Sequence, residues 1–310
     1  MNFISLRLQN FRNYPALALE PHSGTTVLYG ANGSGKTNLL EAMHLLSLGR
    51  SHRTAVDREM IAEGESVAFV HGVTRRLDGK HDLEVRLYPQ MKPQKRVLLF
   101  GKPAQRIGDM MGHATVVMFG PEDLRIVKDG PAARRRFIDM QLSQIRPSYL
   151  KALKRYLNVL DSRNALLKAQ KFNPTPDFDT QLDTWDEQLA GAAAYVVEPR
   201  RWFLSELAKN AAAQYAAISE NPDETFTLKY VGPLATSETP YRDMLAGLKR
   251  TRAEDRQRLY TNYGPHRDDL AMLLCGKELR SFGSQGQVRT AVLSMKLGEI
   301  KLIAHEMGDL

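Results

Sequence analysis

The sequence predicts an α/β fold: a head built from a mixed sheet with helices, into which a helical lobe is inserted. Three observations predict it. Gly30-Ala31-Asn32-Gly33-Ser34-Gly35-Lys36-Thr37 is a complete phosphate-binding loop. Residues 25–29 before it form an apolar β-type run, and beyond Pro131 the apolar period lengthens from two to about three and a half.

The elements follow in order. Residues 2–9 alternate like a strand, and 15–29 continue as strand into the loop. Leu39, Ala42, Met43 and Leu46 recur at helical spacing, which predicts a helix over 38–48. Residues 67–77 and 83–87 alternate around Asp78-Gly79-Lys80 as a hairpin, and 96–100 add a strand before Gly101-Lys102. Thr115-Val116-Val117-Met118-Phe119, ended by Gly120-Pro121, has the unbroken apolar character of a strand buried on both faces. Leu150, Leu153, Leu157, Leu160 and Leu167 then mark one long helix, interrupted by Asn164. Leu182, Trp185, Leu189, Ala192, Val196 and Phe203 mark a second, with Pro199 placed to kink it. The linker 172–179 carries Pro174 and Pro176, so the two helices are expected to pair antiparallel as an arm, with their Leu and Trp stripes as core. A strand at 225–231, a charged helix at 239–260 and a strand at 270–274 return the chain to the head. Ser281-Phe282-Gly283-Ser284-Gln285-Gly286-Gln287 then opens a last helix with Val292, Met295, Leu297, Ile300 and Ile303. This divides the chain into a head part with the loop (1–125), a helical arm (126–236) and a return to the head (237–310).

Composition narrows the class. The 310 residues, 43% of them apolar, suffice for a sizeable core. One cysteine, Cys275, read as a core thiol on a strand, excludes a disulfide framework and agrees with a reducing compartment. The N-terminus has no signal-peptide pattern and no apolar run reaches bilayer length, so a cytoplasmic protein without a membrane partner is expected. A net charge of +8 suggests a polyanion such as DNA. Its clusters are Arg134-Arg135-Arg136, then Lys151, Lys154, Arg155, Arg163, Lys168 and Lys171, then Arg200-Arg201, Lys209, Lys249-Arg250, Arg252, Arg256 and Arg258. On one face they would give salt-dependent, sequence-tolerant binding; ordinary solvated helix faces are the alternative.

The chemistry is concentrated in two segments. In the first, the backbone from Gly30 through Ala31, Asn32, Gly33, Ser34 and Gly35 curls around a nucleotide's phosphates, Lys36 supplies a point charge, and the Thr37 hydroxyl can ligate Mg²⁺. This predicts ATP and Mg²⁺ as ligands. In the second, Ser284, Gly286 and Gln287 start a helix, which helix capping alone could explain.

Behind a phosphate loop and an inserted arm, the second segment resembles the signature of ATP-binding-cassette heads, where a Ser and a Gly at a helix start face a γ-phosphate held by another subunit. The whole chain resembles the RecF family of recombination mediators. The likeness is carried by Asn10-Phe11-Arg12-Asn13-Tyr14, Gly49-Arg50-Ser51-His52-Arg53-Thr54, Phe119-Gly120-Pro121-Glu122-Asp123-Leu124, Arg134-Arg135-Arg136-Phe137-Ile138-Asp139 and Gly264-Pro265-His266-Arg267-Asp268-Asp269-Leu270 besides the two segments above. The resemblance implies an SMC-like ATPase head that binds ATP and single-stranded or gapped duplex DNA and forms a homodimer on ATP. It further implies cooperation with RecO and RecR in loading RecA during recombinational gap repair, replication restart and SOS induction, and a nucleoid-associated location. It implies that Ser284, Gly286 and Gln287 complete a partner subunit's site. Arg12 and Arg53 would approach the nucleotide, with a surface ion pair as the other reading of each. His266, Arg267, Asp268 and Asp269 would serve DNA or an interface, or else form an ordinary salt-bridged turn.

Heads of this kind also carry a strand ending in paired acids, the Walker B segment, followed by a dimer-facing loop and a switch histidine. The chain reaches His305-Glu306-Met307-Gly308-Asp309-Leu310 first, and Asp268-Asp269 precedes its strand instead of ending it. The expectation is a chain incomplete before Walker B, with no assignable catalytic residue and inefficient ATP hydrolysis where the family implies a weak DNA-dependent ATPase. An exposed sheet edge and marginal stability would follow. Two other readings stand beside the clamp. A structural chromosome-organising head would lack DNA affinity in a salt series, and a small-molecule kinase would transfer phosphate to a metabolite.

Overall fold

The computed structural model describes residues 1–172 and 174–308; Asn173, in the expected linker, and the final Asp309 and Leu310 lie outside the described residues. The chain divides into two compact units, Met1–Met118 with the segment from Ala304, and Phe119–Ile303.

The first unit is a six-stranded antiparallel sheet with one helix against it. Its strands are β1 (Asn2–Phe11), β2 (Tyr14–Leu19), β3 (Ala68–Arg76), β4 (Gly79–Leu87), β5 (Lys95–Leu99) and β6 (Lys102–Pro103), in the order β2-β1-β3-β4-β5-β6. Alternation along β3 and β4 sends Ala68, Val70, Leu83, Val85 and Leu87 to one face, and a register irregularity between Phe3 and Ser5 brings Phe3 and Leu6 to that face too. Helix α1 (Lys36–Leu48) lays Leu39, Ala42, Leu45 and Leu46 on this face and closes a single core. Gly72 of β3 lets it approach: a Cβ there would stand 2.6 Å from the Leu46 side chain. The helix that carries the end of the phosphate loop is therefore fixed by packing, not by the loop itself.

The second unit is mainly helical. After the one-turn helix α2 (Arg125–Lys128) come α3 (Pro131–Ile145), α4 (Pro147–Phe172) and the 41-residue α5 (Phe178–Ile218), which runs through Pro199 without a break in helix. Leu160 and Leu167 of α4 and Leu182, Leu189, Ala192, Val196 and Phe203 of α5 are buried as the apolar period predicts. Leu150, Leu153 and Trp185, expected in the same stripes, are only half-buried, and Leu157 is exposed. The strands β7 (Phe226–Val231), β8 (Asp269–Leu274) and β9 (Lys277–Glu278) form a small antiparallel sheet, and the helix α6 (Pro240–Arg258) packs on α5. The short helix α7 (Leu279–Phe282) leads into α8 (Gln285–Met307).

Asn164, which breaks the apolar stripe of α4, has a structural use. Its side-chain oxygen accepts the Thr261 N–H and hydroxyl, both at 2.8 Å. Beside it the Arg163 guanidinium is wholly buried, 2.6 Å from Asp186 and 2.8 Å from Asp255.

Three expectations are corrected. Residues 25–29 join no sheet, and Val27 and Tyr29 are 75% and 93% exposed; an apolar run becomes a strand only where a neighbour takes its backbone hydrogen bonds, and none of the described residues does so. Residues 115–119 also join no sheet; they are half-buried except for exposed Phe119. A continuous apolar run signals burial, and it cannot by itself specify a ladder. Cys275 is not a core thiol: it is exposed, with φ 49°, in the turn between β8 and β9.

Candidate functional site

The phosphate loop bends through left-handed glycines, Gly30 at φ 146°, Gly33 at 81° and Gly35 at 103°, and Gly35 opens α1. A Cβ on Gly35 would stand 2.8 Å from both Asn13 and the Tyr14 ring, so the β1–β2 turn closes directly over the loop. Asn13 donates to the Gly33 carbonyl at 3.1 Å and accepts from Asn38 at 2.8 Å, and Asn38 in turn accepts from Arg53 at 2.8 Å. Lys36 folds back, its ammonium 2.8 Å from the Gly30 carbonyl and 2.7 Å from that of Ala31. Ala31, Asn32, Gly33, Ser34 and Thr37 are exposed.

Beneath the loop lies Glu41, buried on α1. Arg12 forks onto its two oxygens at 2.9 and 2.6 Å, the Ser51 hydroxyl donates to it, and Arg53 stands 3.5 Å away. Burial would raise this carboxyl, but the Arg12 and Ser51 hydrogen bonds and the two guanidinium charges prevail and hold it below the usual carboxylate range. Arg12 and Arg53 thus both form ion pairs, and through Asn38 and Asn13 Arg53 is tied to the loop. Asn13, Asn38 and Glu41 were not singled out from sequence; Glu41 could have been, as the one charged residue on the apolar face of its helix.

The second segment also has a defined geometry. The Ser284 hydroxyl accepts the Gln287 N–H at 3.2 Å, while the Gln287 side-chain oxygen accepts the Ser284 N–H at 2.8 Å, a reciprocal capping box. Because the hydroxyl oxygen is used as acceptor, its proton stays available for an outside oxygen. Ser284, Gln285 and Gly286 are exposed at the start of a 23-residue helix, and the N–H groups of Gln285 and Gly286 have no acceptor among the described residues. Such a terminus attracts anions through its free donors and its dipole.

The Gly264–Asp269 motif is placed otherwise than a DNA contact would require. Asp269 holds Arg134 through both oxygens at 2.6 and 2.8 Å, Asp268 holds Arg200 at 2.9 Å and accepts the Tyr230 hydroxyl, and Arg200 also reaches Asp139, the Tyr149 hydroxyl and the Pro265 carbonyl. His266 sits between the Tyr156 hydroxyl at 2.6 Å and the Thr261 carbonyl at 2.9 Å. Only Arg267 of the four charged residues is exposed. The motif is a salt-bridged turn inside its unit, binding α3, α4, α5 and the small sheet to one another.

Burial pushes His266 down to about 4 and Asp268 up to about 6. A depressed histidine makes the folded state lose stability as pH falls from about 6.5 to 4; a raised carboxyl makes it gain stability over much of the same window. The two oppose each other. His266→Gln is therefore expected to gain stability relative to the parent on acidification from pH 6.5 to 5, by up to about 1.4 kcal/mol per pH unit. Urea midpoints at the two pH values test it, and parallel pH profiles would contradict it.

The same packing corrects the charge reading. Arg134, Arg163 and Arg200 are buried in ion pairs, and Arg252 and Arg256 are engaged by Asp179, Asp183 and Asp186. Lys151, Lys154 and Arg155 stay exposed on one face of α4, and Lys168, Lys171, Lys249 and Arg250 are exposed as well. No helix among the described residues is long and apolar enough to cross a membrane.

Comparison with known proteins agrees with this geometry. A family described as an AAA domain matches residues 5–92. The DNA replication and repair protein RecF of Alkaliphilus oremlandii is 37% identical over 98% of this chain and 82% of its own, and that of Lachnoclostridium phytofermentans is 41% identical over 98% and 82%. A solved structure of the recombination mediator RecF with ATP superposes with a TM-score of 0.91 at 32% identity, over 99% of this chain and 82% of that one. The Smc head domain of Pyrococcus furiosus, at 17% identity and TM-score 0.52, shares the fold. With relatives of this identity matched over nearly its entire length, the chain belongs to the RecF family.

Proposed function

We propose that the protein is an ATP-switched DNA clamp that acts as a recombination mediator in the cytoplasm, on the nucleoid. The phosphate loop of one copy, Gly30 through Thr37, holds ATP, and the Ser284, Gly286 and Gln287 turn of a second copy completes the site at the γ-phosphate. Residues 1–125 and 237–310 are read as the head and 126–236 as its arm. The exposed Thr37 hydroxyl suits Mg²⁺, since a phosphate-loop metal needs one hard protein oxygen alongside phosphates and water. Arg12 and Arg53 are proposed to take up the nucleotide from their places around Glu41. DNA is proposed to meet the exposed cations of α4, and the partners by kinship are RecO and RecR, with which gap repair, RecA loading and the SOS response would be served.

The observation that carries this reading is the solvent-facing capping box of Ser284 and Gln287, with free N–H donors beside it. Donors with no phosphate of their own suit a phosphate brought by another molecule, and since neither copy then owns all the groups around it, triphosphate favours the pair by differential binding. Light scattering with and without ATP tests the reading, followed by DNA titration at several salt concentrations. Association that needs ATP and DNA affinity that falls with salt are expected. A monomer at every ATP concentration would refute the clamp, and phosphoryl transfer to a metabolite would favour a kinase.

A further inference from the structure

Gln287 is held from behind. Its side-chain amide donates to Glu224 at 2.8 Å, and the other Glu224 oxygen accepts the Tyr215 hydroxyl at 2.6 Å and the Ser219 hydroxyl at 3.2 Å. Tyr215 is buried at the end of α5 and stacked on Phe226, ring centroids 5.3 Å apart, so the carboxylate is mounted on the arm helix and the first strand of the small sheet. An amide has one oxygen and one NH₂; the oxygen accepts the Ser284 N–H, which leaves the NH₂ in need of an acceptor of its own. Glu224 is that acceptor, so both ends of the amide are held at once.

We propose that Glu224 is a positioning residue for nucleotide-dependent pairing: by accepting the Gln287 amide it fixes the capping box in the one orientation that leaves the Ser284 hydroxyl proton free for the γ-phosphate held by a second copy. The Tyr215 and Gln287 hydrogen bonds keep the Glu224 carboxyl below the usual range, so near neutral pH it is an acceptor only. With the acceptor removed, the NH₂ is left without a partner, the amide is held by the Ser284 N–H alone, and the turn loses its firm shape. The chain Tyr215–Glu224–Gln287–Ser284 also gives a route by which strain on the arm reaches the nucleotide site. This inference rests on the clamp reading above.

The test is ATP-dependent association of the full chain, measured by light scattering with ATP affinity and melting temperature in parallel. Glu224→Leu is expected to weaken association roughly tenfold, as for one lost hydrogen bond to a charged acceptor, with ATP affinity unchanged. Glu224→Gln is expected to stay within about twofold of the parent, because its oxygen can serve Gln287 while its NH₂ donates to the Tyr215 and Ser219 hydroxyls. In a Gln287→Leu background Glu224→Leu should do nothing further. Should Glu224→Leu fail to fold, Tyr215→Phe serves, with an expected loss of about threefold. Parental association in Glu224→Leu, additive losses in the double variant, or parental association in Tyr215→Phe would overturn the role of Glu224. Ser284→Arg is the control for the underlying reading: if it pairs with ATP as the parent does, the clamp falls and this inference with it; if only Glu224→Leu is silent, the clamp stands alone.

Discussion

Lys36→Ala is expected to weaken ATP binding by at least about a hundredfold while leaving the fold intact. The lysine ammonium is the only positive side chain within the loop, and removing one fully used charge–phosphate contact costs about 3 kcal/mol, a factor of a hundred or more. Two features keep this from being a folding effect. Helix α1 is seated by Leu39, Ala42, Leu45 and Leu46, none of which touches the lysine's role, and Lys36 bonds to exposed groups of the loop itself, the Gly30 and Ala31 carbonyls and the Ser34 hydroxyl. Calorimetric titration measures the affinity directly. ATP should also raise the melting temperature of the parent and not of the variant, because a ligand at a hundred times its Kd stabilises the folded state by about 2.7 kcal/mol. Equal melting shifts in both proteins would remove the loop from its assigned place.

The second large effect is expected at Ser284. Ser284→Arg puts a long side chain where the hydroxyl and the helix N–H groups stand open, so a second copy carrying ATP is blocked sterically while the phosphate loop of the same copy is untouched. ATP affinity of the single chain should be parental and ATP-dependent pairing should vanish, a loss of more than about a hundredfold if the serine supplies a charge-assisted hydrogen bond and the arginine a clash as well. The capping box itself would be lost, at a cost of about 1 kcal/mol to α8. A modest fall in melting temperature is therefore part of the expected result, and circular dichroism separates it from misfolding.

How much of this was legible in the sequence depends on whether the signal was local. The loop, α1, the β3–β4 hairpin, the pair α4 and α5, and the start of α8 are written in short-range patterns, and all lie where the spacing predicts. The strand readings of 25–29 and 115–119 failed because a ladder needs a neighbour, and the period of a run does not name one. Charge was misread for a related reason. Arg134, Arg163 and Arg200 look like surface cations in a list of residues, yet their partners Asp269, Asp186, Asp255, Asp139 and Asp268 are remote in sequence and cancel them inside the unit. In the site, the loop residues could be named from the chain alone. The polar relay Asn13–Asn38–Arg53 could not, and Glu41 shows in sequence only as a charge on an apolar face and not as a hub, since the contacts join residues 12 to 29 positions apart that only folding brings together.

The turn at Cys275 has a practical corollary for every association measurement. It is the sole thiol of the chain, open to solvent on a tight bend, and therefore a natural handle for a single maleimide dye. The same accessibility lets two molecules join through it in air, giving a covalent couple that owes nothing to nucleotide and would masquerade as the clamp in a light-scattering trace. A reductant removes that artefact. So does Cys275→Asn, which suits the left-handed backbone at φ 49° better than cysteine and should be neutral to slightly stabilising.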